Sequence, residues 1–413
     1  MTFQTECLAM RKSHQPNPKM PKKPRKKRTV PVTPAVLKWA MAEAGFTPDT
    51  LAAKLKVPAS AVKAWLADTD HPTLPEFRKL AAALARIPSV FLLPDAPRIA
   101  SPAVEFRHPP EGRSTLTPLE HRFIREAARL QETASWLVQE LGESAPTIPQ
   151  VQVGSSVEGA AVEARLRLTG SLNGSFGAAW KSDAQAFQSW RDALETSGVF
   201  VFVFPLGTKS CRGFSLWNER APLVAVNSAW RHSARSFTLF HEYGHLLTRS
   251  SSACIEDSPA RAARTGERVD PSERWCERFS AALLMPKESV LTYLHGSLGW
   301  PQNRQATLAN AQQVANHFRV SLRAATLRLI ELGLTEWSVY REIPAAADMK
   351  KGGGRVSEPR DRGIIKRDQY GRRTLNLFVR ALHDHVLGRA DVLEYLDVTD
   401  SHLERFERAG IVG

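Results

Sequence analysis

Two histidines four residues apart, in the string His241-Glu242-Tyr243-Gly244-His245, constrain this chain more than any other feature. Residues at i and i+4 stand one above the other on a helix, so the string must be helical for both imidazoles to reach one point. There they can bind a single metal ion, with Glu242 placed between them to act as a general base. Two imidazoles do not complete a catalytic zinc site, which takes three protein ligands and one open position. The fold must therefore press a second segment, bearing a further donor, against this helix.

The periodicity predicts that segment. A helix over 233–248 carries the histidines, a polar loop follows over 249–271, and a second helix spans 272–284 with Trp275, Phe279, Ala282 and Leu283 facing inward. Glu273 and Glu277 share one face of it at i and i+4, so one can bind metal while the other orients a histidine. Spacing does not choose between them. Cys276 on the same helix reads as a small buried hydrophobe, Tyr243 as a packing residue, and His232, Tyr293 and His295 as surface or packing residues flanking the motifs. Upstream, the run Val199 to Phe204 predicts a buried strand, and 213–217 and 222–226 two more. The last of these, Pro222 to Val226, is the expected sheet edge beside the metal, where an extended substrate can add a strand. Trp190, on a helix over 184–194, is expected to anchor the core.

These residues resemble a known family. FTLFHEYGHLL followed by ERWCERFSAALLMP is similar to the ImmA/IrrE metallopeptidases, whose segments run FTLAHELGH and ExxxNxFAAxLLMP, and the likeness covers roughly residues 160–335. It implies a zincin-like, gluzincin-type domain in which His241, His245 and Glu273 hold Zn2+ and Glu242 is the general base. The family has Asn or Asp where this chain has Glu277. The resemblance further implies hydrolysis of a peptide bond in a specific regulatory protein, often a Xre-type repressor governing stress or mobile-element genes.

The N-terminal quarter has a different character. Residues 11–28 hold nine Lys and Arg and no acid, which accounts for nine of the net fourteen positive charges. Proline-rich and almost without apolar residues, the segment lacks the surface to fold and reads as a disordered arm that contacts phosphates. From Pro34 onward short helices follow closely: 37–44 stopped by Gly45, a second capped by Thr47 with Pro48 at its first position, a third over 58–66, and others over 73–85 and 87–93. The string FTPDTLAAKLKVPASAVKAWLADTDHPTLPEFRKLAAAL resembles the Xre/Cro helix-turn-helix domains. That likeness makes 58–66 the recognition helix, with Ser60 and Lys63 facing the groove; the charge of the arm separately places Lys26, Lys27 and Arg28 on the phosphate backbone. Alanines at 59, 61 and 64 leave few side chains able to read bases. The plainer alternative is a small helical interaction or dimerisation module, and a homodimer is among the expected assemblies.

Taken together, the 413 residues are expected to form an α+β, mostly helical protein. Its expected order is a basic tail (1–33), an all-α helix-turn-helix domain (34–97), a helical connector (98–153) carrying an amphipathic helix over 117–141, and a zincin-like domain with a small sheet (154–300). A helix-turn-helix-like subdomain (301–345) and a linker with a small helical bundle (346–413) follow. Cys7, Cys211, Cys254 and Cys276 make no disulfide framework, and no stretch has the roughly 20 apolar residues that span a bilayer or the core of a secretory signal. The expected location is cytoplasmic, with no membrane contact. The expected function is a DNA-binding regulatory zinc metallo-endopeptidase; the alternative is a Xre-family transcriptional regulator whose zincin-like domain serves as a sensor or dimerisation body without proteolysis.

Overall fold

The computed structural model describes residues 28–97, 105–106, 116–170, 180–249, 252–254, 270–301, 304–344, 347–349 and 361–408. They fall into two compact units, one made of the chain up to Pro97 without 42–46, the other of 42–46 and everything from Arg98. Lys26, Lys27 and most of the basic arm lie outside the described residues, as does most of the 350–361 linker. The protein is mostly helical with a small sheet, in keeping with α+β, and among the described residues no helix is long and apolar enough to cross a membrane.

The first unit contains α1 (Pro34–Glu43), α2 (Pro48–Leu55), α3 (Ala59–Leu66), α4 (Leu74–Ala83) and a 3-10 turn, Pro88–Leu92. Thr47 and Thr50 cap α2 reciprocally, the Thr50 amide donating to Thr47 Oγ1 at 3.2 Å and the Thr47 amide to Thr50 Oγ1 at 2.9 Å. Thr73 and Glu76 do the same for α4. Lys56 ends α2 in the left-handed region (φ 59°, ψ 46°), and the chain turns straight into α3. Val36, Leu37, Leu51, Leu55, Val62, Trp65, Phe77, Leu80 and Phe91 are buried as its core.

The second unit is built on five strands in the order β1-β5-β3-β4-β2: β1 (Glu105–Phe106), β2 (Phe200–Phe204), β3 (Gly213–Leu216), β4 (Leu223–Asn227) and β5 (Ser252–Cys254). β2 pairs parallel with β4, whereas β3 runs antiparallel to both β4 and β5. The continuous apolar run of β2 follows from cover on both faces of the sheet. Val199, Val201, Val203, Val224 and Val226 face one helical layer; Phe200, Phe202, Phe204, Phe214 and Ala225 face the other.

The first layer holds α6 (Val157–Gly170), α7 (Asp183–Thr196), α8 (His232–Leu247) and α9 (Pro271–Leu284), followed by α10 (Lys287–Leu291), α11 (Leu308–Phe318), α12 (Leu322–Glu331) and α13 (Trp337–Arg341). Trp190 sits in it as the expected anchor, edge-on to Phe240 at 4.8 Å. The opposite layer is α5 (Pro118–Glu140) together with α14 (Arg362–His383), α15 (Arg389–Leu396) and α16 (Asp400–Arg408). Thus α5, within the stretch read as a connector, and the C-terminal helices, read as a separate bundle, both lie on the sheet. Their aromatic and aliphatic side chains are what the phenylalanines of β2 are buried against, each such side chain contributing about 1.5–3 kcal/mol.

Two polar clamps fasten this second layer. Gln131 Nε2 of α5 donates to Leu216 O and Ala221 O, both at 2.8 Å, closing the β3–β4 hairpin. Glu120, fully buried, accepts from the Cys211 amide at 2.7 Å. In α14 the helix breaks at Gly371 (φ 80°, ψ 172°), a conformation open in practice only to glycine. The carboxylate of Glu195 fills the break and accepts from the amides of Arg372 (2.9 Å) and Arg373 (3.2 Å), while Arg191 pairs with it at 3.0 Å.

The assignment of Pro222 to Val226 as the substrate edge does not hold. That strand, β4, is hydrogen-bonded to β3 on one side and β2 on the other, so its backbone groups are already used. A strand signal in sequence does not reveal order across a sheet; here β2 and β3 take the two sides of β4, and the later β5, inside the loop expected over 249–271, takes the outer side of β3.

Candidate metal centre

The geometry of the centre begins with the entry to α8. Asn227, at the end of β4, donates from Nδ2 to Gly207 O at 2.7 Å and Cys211 O at 2.9 Å, and accepts from the Ala229 amide. Arg235 then ties the first turn of α8 back to its own approach, donating to Trp230 O at 2.9 Å and Ser228 O at 2.6 Å. Fixed at this end, α8 runs between the sheet and α9 with every residue from Ser233 to Leu247 buried.

Close approach on both sides requires glycine. A Cβ on Gly244 would stand 3.0 Å from Cys276 Sγ and 3.3 Å from Cys276 Cα, so the bare backbone of α8 is what lets α9 lie against it. A Cβ on Gly213 of β3 would stand 2.6 Å from Thr238 Cγ2 and 3.1 Å from Glu242 Cγ. Cys276 is buried in this helix contact, and Tyr243 packs between Phe240 and Phe279.

With the helices so placed, three donors meet. His241 Nε2 lies 3.2 Å from His245 Nε2 and 3.1 Å from Glu273 Oε2, and His245 Nε2 lies 3.3 Å from Glu273 Oε1. Among the described residues this is the group of three whose chemistry suits a metal ion. Metal bonds of about 2.0–2.2 Å at the tetrahedral angle put neighbouring donor atoms about 3.3–3.6 Å apart. The observed spacings of 3.1–3.3 Å fall at or just below that range, so the residues fit a tetrahedral ion such as zinc. Glu277, the other carboxylate on the same face of α9, is buried but is not one of the three.

The electrostatics show how tightly the group is coupled. Burial alone would lower the His241 pKa, but the hydrogen bond and charge of Glu273, with the charges of Glu242 and Glu277, push it up to about 9. Burial would raise Glu273; its hydrogen bonds with His241 and His245 instead hold it far below the usual carboxylate range. Glu242 is fully buried beside them, on the flank of α8 that faces Gly213.

The remaining sequence candidates lie elsewhere. Tyr293 stacks on His317 at 3.8 Å, and His295 meets Trp300 O through Nδ1 at 2.7 Å. His232 opens α8, its ring 5.9 Å from that of Phe187. Ser60 and Lys63 are exposed on α3, with Lys63 Nζ 3.8 Å from Asp49 in a solvated pair worth little. Arg28 is exposed at the start of the described chain.

Sequence reasoning missed Arg328, whose guanidinium is fully buried. It donates to Met285 O at 3.0 Å, pairs with Glu158 at 2.7 Å and with Glu331 at 3.1 Å, and so joins α6, the end of α9 and α12. Its only signal was a charge on the apolar side of a helix. Gly213 was read merely as a strand boundary, although a glycine in a strand often marks close approach.

No curated protein matches the chain. Residues 194–329, the stretch that contains β2 to β4, the two helices that carry His241, His245 and Glu273, and α11, match the family described as Peptidase_M78, the IrrE N-terminal-like domain, so this part of the protein is metallopeptidase-like.

Proposed function

We propose that the protein is a DNA-binding regulatory zinc metallo-endopeptidase that cleaves a specific regulatory protein, a Xre-type repressor being the leading candidate. The observation that carries the reading is the convergence of His241, His245 and Glu273 within 4.8 Å of one another, with Glu242 on the same helix. Zinc bound by two imidazoles and a carboxylate supplies Lewis acidity, polarising a carbonyl and lowering the pKa of water to about 7. The chain's own contribution is proton handling and orientation. Glu242 takes the proton of the attacking water and delivers it to the nitrogen of the scissile amide as the C–N bond breaks, leaving a carboxylate and an amine. Glu277 supports this from α9, its charge favouring donor capacity in His241. The short helices of the first unit, with α2 turning directly into α3 and exposing Ser60 and Lys63, support DNA contact through a helix-turn-helix. Arg28 with Lys26 and Lys27 of the arm would add phosphate contacts.

A second reading has one observation in its favour: His245 and Glu242 are both 0% exposed. A closed centre also suits a transcriptional regulator in which the peptidase-like body senses or dimerises. The two are separated by measuring zinc stoichiometry and comparing wild type with Glu242→Gln on co-expressed candidate repressors. Cleavage by the wild type alone supports the peptidase; equal cleavage by both, or none by either with zinc bound, defeats it.

A further inference from the structure

We infer that residues Ser252–Cys254 occupy the sheet edge along which a peptide substrate would lie, so that the protein is described here in a self-blocked, latent state. This rests on the peptidase reading above. The strand bordering the centre is β3, because Gly213 is the residue whose Cα faces Glu242 and Thr238. One side of β3 is committed to β4. The other side is where an extended peptide beside Glu242 would find unpaired backbone groups, and it is taken by β5, antiparallel, with Gly213 opposite Cys254, Phe214 opposite Ala253 and Ser215 opposite Ser252. An antiparallel strand uses the same outward N–H and C=O groups that an added peptide would use. β5 also lies against α8.

The occupant comes from the segment between the two donor-bearing helices, beginning soon after Leu247. Its own outer edge is covered in turn by Glu105–Phe106, in parallel register with Ser252 and Ala253. The edge beside the centre is thus closed by two pieces of the chain itself, and the four residues of the centre are exposed by no more than 6%. A hydrolytic centre must admit a carbonyl; this arrangement does not until β5 leaves. Three residues form a short ladder, one that a longer extended segment pairing along all four residues of β3 can displace. The substrate class that follows is an extended segment of a folded partner held elsewhere on the protein, in preference to small free peptides.

The test removes the occupant. Arg212 pairs with Asn227 across to β4, so Gly213 and Ser215 turn their backbone groups toward β5; Cys254→Pro, opposite Gly213, deletes a ladder amide, and Cys254→Gly weakens the strand while keeping the amide. Zinc-loaded Cys254→Pro is expected to hydrolyse fluorescein-labelled casein at least ~10-fold faster than wild type, with Cys254→Gly in between and Glu242→Gln/Cys254→Pro silent, as the open fraction rises. Independently of turnover, capture of Co2+ from the loaded protein by dipicolinate is expected to quicken by a similar ~10-fold as the centre opens. Melting curves establish that each variant folds; should the proline variant not fold, the glycine variant decides. Unchanged cleavage and unchanged capture, with deuterium exchange showing the Gly213 and Ser215 amides released, overturn the inference. Faster capture without cleavage by any variant upholds the blocked edge and defeats the peptidase reading instead.

Discussion

Replacing Glu273 by glutamine, with Glu277→Gln as its partner experiment, separates a ligand from a supporting residue. The structure gives Glu273 two of the three short donor–donor spacings, 3.1 Å to His241 and 3.3 Å to His245, while Glu277 stands outside the group. A complete four-ligand zinc site is worth about 10–16 kcal/mol, hence roughly 3–4 kcal/mol per ligand, so Glu273→Gln should weaken zinc binding by about 10²–10³-fold. A residue one layer out costs less, about 10-fold for Glu277→Gln. Competition against a chromophoric chelator at fixed pH reads both.

A second, metal-free readout has a definite sign. Glu273 raises the His241 pKa to about 9, above its unfolded value near 6.5. An imidazolium stabilised only in the folded state contributes stability that is fully present below about pH 6.5 and is lost as pH rises through 9; the displacement is worth up to about 3 kcal/mol. Urea unfolding of the apo protein should therefore show Glu273→Gln clearly destabilised at pH 6 and nearly equal to wild type above pH 9.5. If Glu277→Gln loses more zinc than Glu273→Gln, or if the apo deficit grows with pH, the assignment of the centre is wrong.

Other consequences are as specific. Gly213→Ala drives a Cβ to 2.8 Å from Ala225 O and 2.6 Å from Thr238 Cγ2, and should lower stability by about 1–3 kcal/mol in urea unfolding while zinc stoichiometry stays at the wild-type value. Gly371→Ala places a Cβ on the Glu195 carboxylate in a backbone region only glycine tolerates, and should cost at least about 3 kcal/mol, read as a lower midpoint with unchanged denaturant slope. Lys63→Ala should reduce the slope of log affinity against log salt for duplex DNA by about 1 in a fluorescence-anisotropy titration. An unchanged slope removes Lys63 from the phosphate contacts.

Much of the first helical layer was legible because its signals are local. The i, i+4 histidines, the amphipathic 272–284 segment and the FVFVF run each state their own geometry, and helix limits differ from expectation by only a residue at His232 and at Pro271. What stayed hidden depends on partners distant in sequence. Nothing in Pro222 to Val226 says that β2 and β3 will pair on its two sides and leave it no free edge. Nothing near Glu195 says that its carboxylate will cap a helix at Arg372, because a buried acid in a helix is unfavourable until that helix is present. Burial pushes the Glu195 pKa up, and Arg191 and the two amides oppose it; the interaction exists only in the assembled fold. Of Glu273 and Glu277, equivalent by spacing, Glu273 is the one that the crossing of α9 over Gly244 brings beside the two histidines.

That crossing also makes a case for a cation on electrostatic grounds alone. Glu242, Glu273 and Glu277 all act on His241 through charge, and all three are buried together with both histidines. Buried charge is tolerated when it is paired and heavily penalised when it is not. One proton on His241 answers one carboxylate and leaves His245 Nε2 facing another ring nitrogen at 3.2 Å. A divalent ion at the same point answers two carboxylates, satisfies both ring nitrogens and needs no proton on either. The same cluster that would be an expensive core is, with a divalent ion, a compensated one. Occupancy should then stiffen the contact between α8 and α9 beyond what their apolar packing provides. Slower amide exchange in both helices on adding zinc, absent in Glu273→Gln, is the outcome this requires; equal exchange with and without metal would mean that apolar packing, not the ion, holds the centre closed.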